Sequence, residues 1–354
     1  MSLQFHPLAV KSVARDADAL IVGFDVPTAL RDTFAFTQGQ YLTLRTEVEG
    51  EDLRRSYSIC SGLDDGHLRV GIRLLPGGAF SGWAVEHLRA GQTLQVLPPQ
   101  GRFNVPLDPQ ARRHVLLIAA GSGITPMLSL IRTMLAREPH TRCTLIYGNR
   151  QLTSTMFREE LEDLKDRHLT RFTLHHVFSR EAQDAPLFNG RLDEVRIGEF
   201  LRTLVPAESV DEAFVCGPAG MIDGALAALA AAGVAEERVH VERFGDVQAA
   251  SAHHVEERDA AHARVTLVVD GLERAVEFRL GDPSILAAAR RTGLDVPYSC
   301  QAGVCSTCKG RLLEGEVRMD RNFALTAAEV EAGFVLCCQA HPLTERVVIT
   351  LDQR

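Results

Sequence analysis

No apolar run in the 354-residue sequence reaches the roughly 18 residues that a transmembrane helix needs, so no membrane span is expected. Cationic excess is missing too. The 38 Lys and Arg are outnumbered by 46 Asp and Glu, for a net charge of -8, and such an average field gives no support to nucleic-acid binding. Neither a basic stripe nor a helix-turn-helix signal is present, which counts against a DNA-binding regulator. The N-terminal stretch MSLQFHPLAVKSVARD has no long apolar segment after its basic residue and does not read as a signal peptide. Together these absences predict a cytoplasmic protein in a reducing compartment, where structural disulfides are uncommon. What remains is ordinary globular composition, 45% hydrophobic and 24% charged. The length suits two or three domains of roughly 100–200 residues each.

Residues 1–106 read as an all-β unit. Short runs such as LIVGFDV, YLTLRTEV and HLRVGIRLL are separated by Gly, Asp and Pro turns, with SGWAVEHLRAG as a short helix between strands. Over 107–246 the texture changes to strands alternating with helices: HVLLIAAGSGITPMLSLIRTMLA, CTLIYGNR, RFTLHHVFSR, then EAFVCGPAGMIDGALAALAAAGV. That alternation predicts a parallel α/β sheet. Residues 247–262 are polar and rich in Ala, His and charge, as in a linker. Residues 263–354 make a third unit, opening with two strand-like runs and the helix SILAAARRTG. A domain so small needs something beyond its core, such as a metal centre.

Cysteine is unevenly distributed. Cys60, Cys143 and Cys216 are isolated, whereas Cys300, Cys305, Cys308, Cys337 and Cys338 crowd the last 55 residues. An isolated cysteine is most simply a small buried hydrophobe; five in a short polar stretch point to metal ligation. The spacing Cys300-x4-Cys305-x2-Cys308, then 29 residues to Cys338, is that of plant-type [2Fe-2S] ligands. A structural zinc site is the competing reading. Zinc sites usually use paired Cys-x2-Cys knuckles, and there is one such pair here. The small residues of YSCQAGVCSTCKG let backbone N–H groups approach sulfur, which tunes a cluster's potential.

Other motifs suit nucleotides. Arg55-Ser56-Tyr57-Ser58 offers a guanidinium for phosphate and an aromatic face for stacking. In LLPGGAFSGW, Gly77 and Gly78 permit a tight turn, and Ser81 with nearby N–H groups at a helix start can receive a pyrophosphate. Ala120-Gly121-Ser122-Gly123-Ile124-Thr125-Pro126 follows a buried strand and opens a helix, the context of a dinucleotide loop, although it is not Gly-x-Gly-x-x-Gly. Strand ends carry Arg150 and Ser179-Arg180 and no carboxylate that would reject a 2'-phosphate.

On these residues the first two domains resemble the ferredoxin–NADP reductase family and the third a plant-type ferredoxin. The domain order resembles the reductase components of ring-1,2-phenylacetyl-CoA epoxidases. The resemblance implies an N-terminal antiparallel β-barrel that binds FAD, a central α/β parallel-sheet nicotinamide domain and a C-terminal α+β β-grasp ferredoxin domain. It implies that Arg55 pairs with the flavin pyrophosphate, Tyr57 lies on the isoalloxazine, Ser58 sits near N5, and Ser56 completes that motif. Gly77, Gly78 and Ser81 match the family's Gly-Gly-x-x-Ser stretch, and Gly101 and Phe103 its Gly-x-Phe turn. Gly121, Gly123, Thr125 and Pro126 correspond to the nicotinamide loop. Cys216, with Gly217, approaches the nicotinamide C4 as a positioning group, and Phe244 is the terminal aromatic. Ser179-Arg180 resembles NADPH-selective members. Cys338, directly before a glutamine, is the fourth cluster ligand, leaving Cys337 packed inward.

The function expected is an NADPH-dependent reductase that passes single electrons through the cluster to an oxygenase. A di-iron phenylacetyl-CoA epoxidase, a Rieske-type oxygenase and a hybrid-cluster protein compete as recipients, by transient docking. A redox sensor or regulatory binding protein is the non-enzymatic alternative.

Overall fold

Alternation of apolar and polar residues draws the first part of the chain into strands. In β1 (His6–Asp16), Leu8 and Val10 are buried while Pro7, Ala9 and Lys11 face outward. With β2 (Ala19–Asp25), β3 (Tyr41–Val48), β4 (Glu51–Ser58), β5 (Leu68–Arg73) and β6 (Thr93–Val96) it makes a sheet of order β4-β3-β6-β1-β2-β5. An antiparallel bridge between Ile59 and Val70 joins the two ends, closing the barrel. Leu8, Val22, Leu42, Leu44, Ile59 and Ile72 fill it, and helix α1 (Ala79–His87) adds Phe80 and Ala84.

Next come β7 (His114–Ala120), α2 (Ile124–Arg137), β8 (Arg142–Asn149), α3 (Arg158–Arg167), β9 (Phe172–Phe178), α4 (Glu194–Thr203), β10 (Glu212–Cys216), α5 (Ala219–Ala231) and β11 (Val239–Glu242). The five strands are parallel, in the order β11-β10-β7-β8-β9. Successive residues of β7 serve opposite cores. Val115, Leu117 and Ala119 pack with α2 residues, while Leu116 and Ile118 pack with residues of α4 and α5. Both faces are covered, which is why the strand reads as a continuous apolar run. Strand order reverses at β7, flanked by β8 and β10, and the crevice outside the carboxyl ends at such a switch point is where ligands bind in open α/β sheets. The core around α2 also takes in Ala19, Ile21, Cys60, Phe103 and Val105, so barrel and parallel sheet share one interior.

The computed structural model describes residues 4–245, 254 and 256–353. Two compact units emerge. One is His6–Leu53 with Tyr57–Arg243; the other is built on Phe244–Arg354, with short earlier pieces that include Arg54–Ser56. In the second unit β12 (His262–Val269) and β13 (Leu272–Arg279) form a hairpin whose turn, Asp270-Gly271, has φ of 53° and 71°, suited to an Asp-Gly turn. Helix α6 (Ile285–Arg291) starts at Ser284, whose hydroxyl accepts from the Ala287 amide at 3.2 Å. There follow β14 (Lys309–Glu314), β15 (Val317–Met319), α7 (Ala327–Glu331), β16 (Phe334–Leu336), β17 (Ala340–Pro342) and β18 (Arg346–Thr350). The main sheet runs β13-β12-β18-β14-β16, with β15-β17 as a separate pair. Of the expected linker, residues 247–253 and 255 lie outside the described residues. Its end is packed: Asp259 is buried against Arg318 at 2.5 Å, and the Ala260 amide bonds the Pro342 carbonyl at 2.9 Å.

Candidate functional site

The cysteine loop connects α6 to β14. It turns sharply because Gln301, Gly303 and Ser306 adopt left-handed φ of 54°, 75° and 52°. A side chain at Gly303 would press within 3.1 Å of the Arg321 carbonyl, so glycine is required twice over. This winding directs the Ala302 amide to the Cys300 sulfur at 3.3 Å. Cys300 lies within hydrogen-bonding reach of Cys305 and Cys338, and Cys338 within reach of Cys308. The bond with Cys300, then burial, pushes Cys305 and Cys338 up, while Cys300, which accepts from its neighbours and from backbone amides, is held well below the usual thiol range. Cys305, Cys308 and Cys338 are buried and Cys300 is partly exposed. Among the described residues no three His, Cys, Asp or Glu side chains are arranged around a single metal ion. The four thiols, linked Cys305–Cys300–Cys338–Cys308 by these contacts, are the residues that would hold a [2Fe-2S] cluster. Gln339 braces the site, donating to the Gln301 and Cys338 carbonyls at 3.0 Å each. Cys337 is buried in the hydrophobic core, and its amide bonds the Cys308 carbonyl at 3.1 Å.

The nicotinamide loop leaves β7 as a single turn, Gly121–Gly123, and enters α2. Thr125 is buried and donates its hydroxyl to the Ser122 carbonyl at 2.9 Å; Pro126 is buried in the same turn. A Cβ on Gly123 would stand 2.1 Å from the Cys216 carbonyl oxygen, so the absence of a side chain lets the loop press against the end of β10. Gly121, at φ 55°, accepts from the Tyr147 hydroxyl at 3.0 Å. Its missing Cβ would fall 2.1 Å from Nη1 of Arg73, whose Nε and Nη2 are held by Asp18 at 3.1 and 2.9 Å. A guanidinium anchored on the barrel thus stands over the nucleotide loop, and an approaching pyrophosphate would meet it together with the N-terminus of α2.

Ser58 ends β4, buried, and donates to Oε2 of Glu242 at 2.9 Å. Glu242 ends β11 directly beside Cys216 in the parallel register. Burial pushes the Glu242 carboxyl up to about 7. Burial, then the neighbouring Glu242, raises the Cys216 thiol well above its ordinary value. A thiol so held is neutral and unsuited to nucleophilic attack. Tyr57, half-buried one residue earlier, has its ring 5.6 Å from that of Phe80 on α1. Helix α1 begins after Gly77, at φ 71°, and Gly78, and no side chain caps its first amides. Ser81 is buried, accepting from the Leu75 amide at 3.2 Å and donating to the Gly78 carbonyl at 3.3 Å, so its hydroxyl shapes the turn. Uncapped N–H groups, two glycines and a nearby aromatic ring fit a flavin dinucleotide.

Ser58, Cys216, Gly217, Gly121 and Gly123 therefore converge. Arg55 and Ser56 lie on β4, half-buried. Gly101, at φ 107°, packs on Tyr41, and Phe103 is buried edge-to-face with Phe214 at 5.2 Å. Arg150, Ser179 and Arg180 form a separate exposed group. The Arg180 amide bonds the Arg150 carbonyl at 2.8 Å, bringing the two arginines side by side at the ends of β8 and β9. The carboxylate of the next residue, Glu181, is engaged by the Leu152 amide at 2.8 Å. Phe244 is 39% exposed. Sequence reasoning did not assign roles to Glu242 or Arg73. An acid ending a short strand and an arginine ending another are locally unremarkable, and what distinguishes them is the tertiary neighbour.

Three family models match in succession: the oxidoreductase FAD-binding domain over residues 9–105, the oxidoreductase NAD-binding domain over 117–226, and the 2Fe-2S iron-sulfur cluster binding domain over 267–343. A 1,2-phenylacetyl-CoA epoxidase subunit from Escherichia coli (strain K12) is 44% identical over 353 residues, covering 99% of this chain and 98% of that protein. The ferredoxin reductase component of 3-ketosteroid-9-alpha-monooxygenase from Rhodococcus rhodochrous is 35% identical over 352 residues, covering 97% and 95%. Phthalate dioxygenase reductase, a solved structure, shares the fold over 98% of each chain with a TM-score of 0.59 at 24% identity. Among the described residues no helix is long and apolar enough to cross a membrane. The chain belongs to the ferredoxin–NADP-reductase-like family of flavoproteins with a C-terminal [2Fe-2S] domain, and is an NAD(P)H-, FAD- and cluster-dependent electron-transfer oxidoreductase.

Proposed function

We propose that this chain is the cytoplasmic reductase component of a multicomponent di-iron oxygenase acting on phenylacetyl-CoA. The observation that carries the reading is the similarity to the epoxidase protein across all three domains. When bound, the cofactors convert a two-electron hydride donation into single-electron export. The residues supply the rest. Arg55, Ser56, Gly77, Gly78 and the first amides of α1 would hold the flavin dinucleotide, with Tyr57 against its ring. Gly121, Gly123, Thr125, Pro126 and Arg73 would receive the nicotinamide pyrophosphate. Ser58, Cys216 and Gly217, backed by Glu242, would set the spacing at the reacting face, with Phe244 bordering the flavin as the terminal aromatic. Cys300, Cys305, Cys308 and Cys338 would ligate the cluster. Reconstitution tests the assignment: oxygenase subunits, phenylacetyl-CoA, oxygen and NADPH should yield product only when this chain is added. Electrons delivered to a Rieske oxygenase or a hybrid-cluster protein, with the di-iron complex left oxidised, would sink the partner and leave the reductase.

Coenzyme choice is proposed to favour NADPH through Arg150, Ser179 and Arg180. Arg180→Ala should lower kcat/KM for NADPH by about 1.5–3 kcal/mol, the scale of a hydrogen bond to a charged group, and hardly alter NADH. Equal losses with both coenzymes would mean that Arg180 serves the fold or the shared part of the nucleotide.

We also propose domains at 1–106, 107–246 and 263–354. A chain truncated after Phe244 should bind flavin and reduce ferricyanide with NAD(P)H, while losing reduction of acceptors that draw on the cluster. A folded truncation that binds no flavin would refute this boundary.

A further inference from the structure

Helix α2 starts at the nicotinamide loop and runs across the flavin barrel. One face of it is fastened there at intervals of one turn. Ser129 Oγ accepts from the Gly39 amide at 3.4 Å, Thr133 Oγ1 accepts from the Leu63 amide at 3.1 Å, and Arg137 donates twice to Asp64 at 2.9 and 2.8 Å. Beside this line stands Arg132. Its Nε and Nη2 grip both oxygens of Asp65 at 2.8 and 3.2 Å, and its Nη1 reaches Glu160 at 3.0 Å. Glu160, on α3, is gripped in turn by Arg69 of β5 through two bonds of 3.0 and 2.9 Å. A Cβ on Gly62 would come within 2.9 Å of the Arg132 Cβ, so backbone of the barrel loop rests directly on the arginine stem.

Asp65 belongs to the loop that joins β4, ending in Ser58, to β5, ending in Arg73. The loop therefore ties the end of β4 that carries Ser58, and the start of β5, whose other end carries Arg73, to the helix whose first turn receives the nucleotide. Apolar contacts already hold barrel and parallel sheet together, because Ala19, Ile21, Cys60, Phe103 and Val105 share a core with Met127, Ile131 and Met134. Such contacts supply attraction without fixing an angle, whereas paired charge-assisted bonds are directional. The Arg132 and Asp65 side chains are only 20% and 15% exposed, so water competes weakly for them.

We propose that Arg132 is a positioning residue for hydride transfer: by locking α2 to the loop between β4 and β5, it sets the distance and angle between bound nicotinamide and flavin. The inference rests on the assignment of the two nucleotide sites made above.

The test uses the full-length protein with FAD and cluster loaded, comparing wild type, Arg132→Met, Arg132→Lys and Asp65→Asn. Anaerobic rapid mixing with NADPH reports the limiting rate of flavin reduction. The long-wavelength charge-transfer absorbance reports the approach of the two rings, and thermal unfolding reports stability. Arg132→Met should slow limiting flavin reduction by roughly 10–100-fold, the scale expected of a misplacement near 1 Å, and weaken the charge-transfer band. The apparent affinity for NADPH should move far less, since the loop itself is intact. Arg132→Lys should recover part of the rate, and Asp65→Asn should reproduce part of the loss. A variant with lowered thermal stability but an unchanged limiting rate and band overturns the proposal. Should Arg132→Met fail to fold, Arg132→Lys and Asp65→Asn decide by the same two readouts. Wild-type flavin that NADPH and NADH both fail to reduce would overturn the underlying site assignment, a result distinct from a variant that merely matches wild type.

Discussion

Serine at any one of Cys300, Cys305, Cys308 or Cys338 is expected to abolish stable cluster incorporation, whereas serine or alanine at Cys337 leaves it in place. The loop offers three sulfurs and Cys338 the fourth, within reach of one another, and each replaced thiol removes one ligand of the set. Cys337 differs because its side chain is spent in the core, beside a backbone that bonds Cys308 and Leu286. Serine there places a hydroxyl in an apolar site and should cost about 1–3 kcal/mol of stability, with alanine as the milder control. Wild type should carry about two iron and two labile sulfide per chain. Ligand variants should lose both, keep NAD(P)H-dependent ferricyanide reduction and lose oxygenase-coupled turnover. Stoichiometric zinc without sulfide, or loss of iron in the Cys337 variants equal to that in the Cys338 variant, would contradict this ligand set.

The contrast between these neighbours marks what a sequence can reveal. Cluster spacing is legible because three ligands fall within nine residues, whereas the left-handed turns at Gln301 and Ser306 are not signalled by residue type. β7 is legible as a run of apolar residues, and the loop that follows it through its two glycines. Choosing between Cys337 and Cys338 rests on family resemblance, because periodicity cannot tell which of two adjacent thiols faces the core. Glu242 was beyond reach for another reason: its partner Ser58 is 184 residues away, and nothing local distinguishes it from any acid at a strand end. The same holds for Arg132, whose partner Asp65 is 67 residues distant, and for Arg69, 91 residues from Glu160. Apolar periodicity is written in each element, whereas the choice of polar partner exists only after the elements meet. The proposed hydride face combines both kinds of information, with glycines that are legible and a half-buried acid that is not.

Glu242→Gln is expected to remove an inflection near pH 7 from the rate of hydride transfer and to stabilise the protein at alkaline pH. Burial raises the Glu242 carboxyl from its ordinary 4.5 to about 7. Below pH 4.5 the folded and unfolded states are both protonated, so burial carries no ionisation cost. Between 4.5 and 7 the unfolded chain ionises first, and stability falls as pH rises. Above 7 the full cost is present, on the order of 3 kcal/mol. Glutamine cannot ionise, so the variant should gain up to that amount over wild type at pH 8 and little or nothing at pH 4.5. The kinetic effect follows from the bond to Ser58 at 2.9 Å. Ionised, Glu242 accepts the Ser58 hydrogen and leaves only lone pairs for the reacting face. Protonated, it can donate to Ser58 Oγ and free the serine hydrogen to point the other way. At the flavin site proposed above, the polarity that Ser58 presents therefore reverses across pH 7, and hydride transfer should respond to it in wild type but not in Glu242→Gln. Ser58→Ala removes the switched group itself and should slow transfer at every pH by roughly 10–100-fold. Single-turnover flavin reduction measured from pH 5.5 to 8.5, a window of about 1.5 units on either side of the expected midpoint, distinguishes the outcomes. An inflection near 7 that persists unchanged in Glu242→Gln would assign the titration to another group and strip Glu242 of its kinetic role.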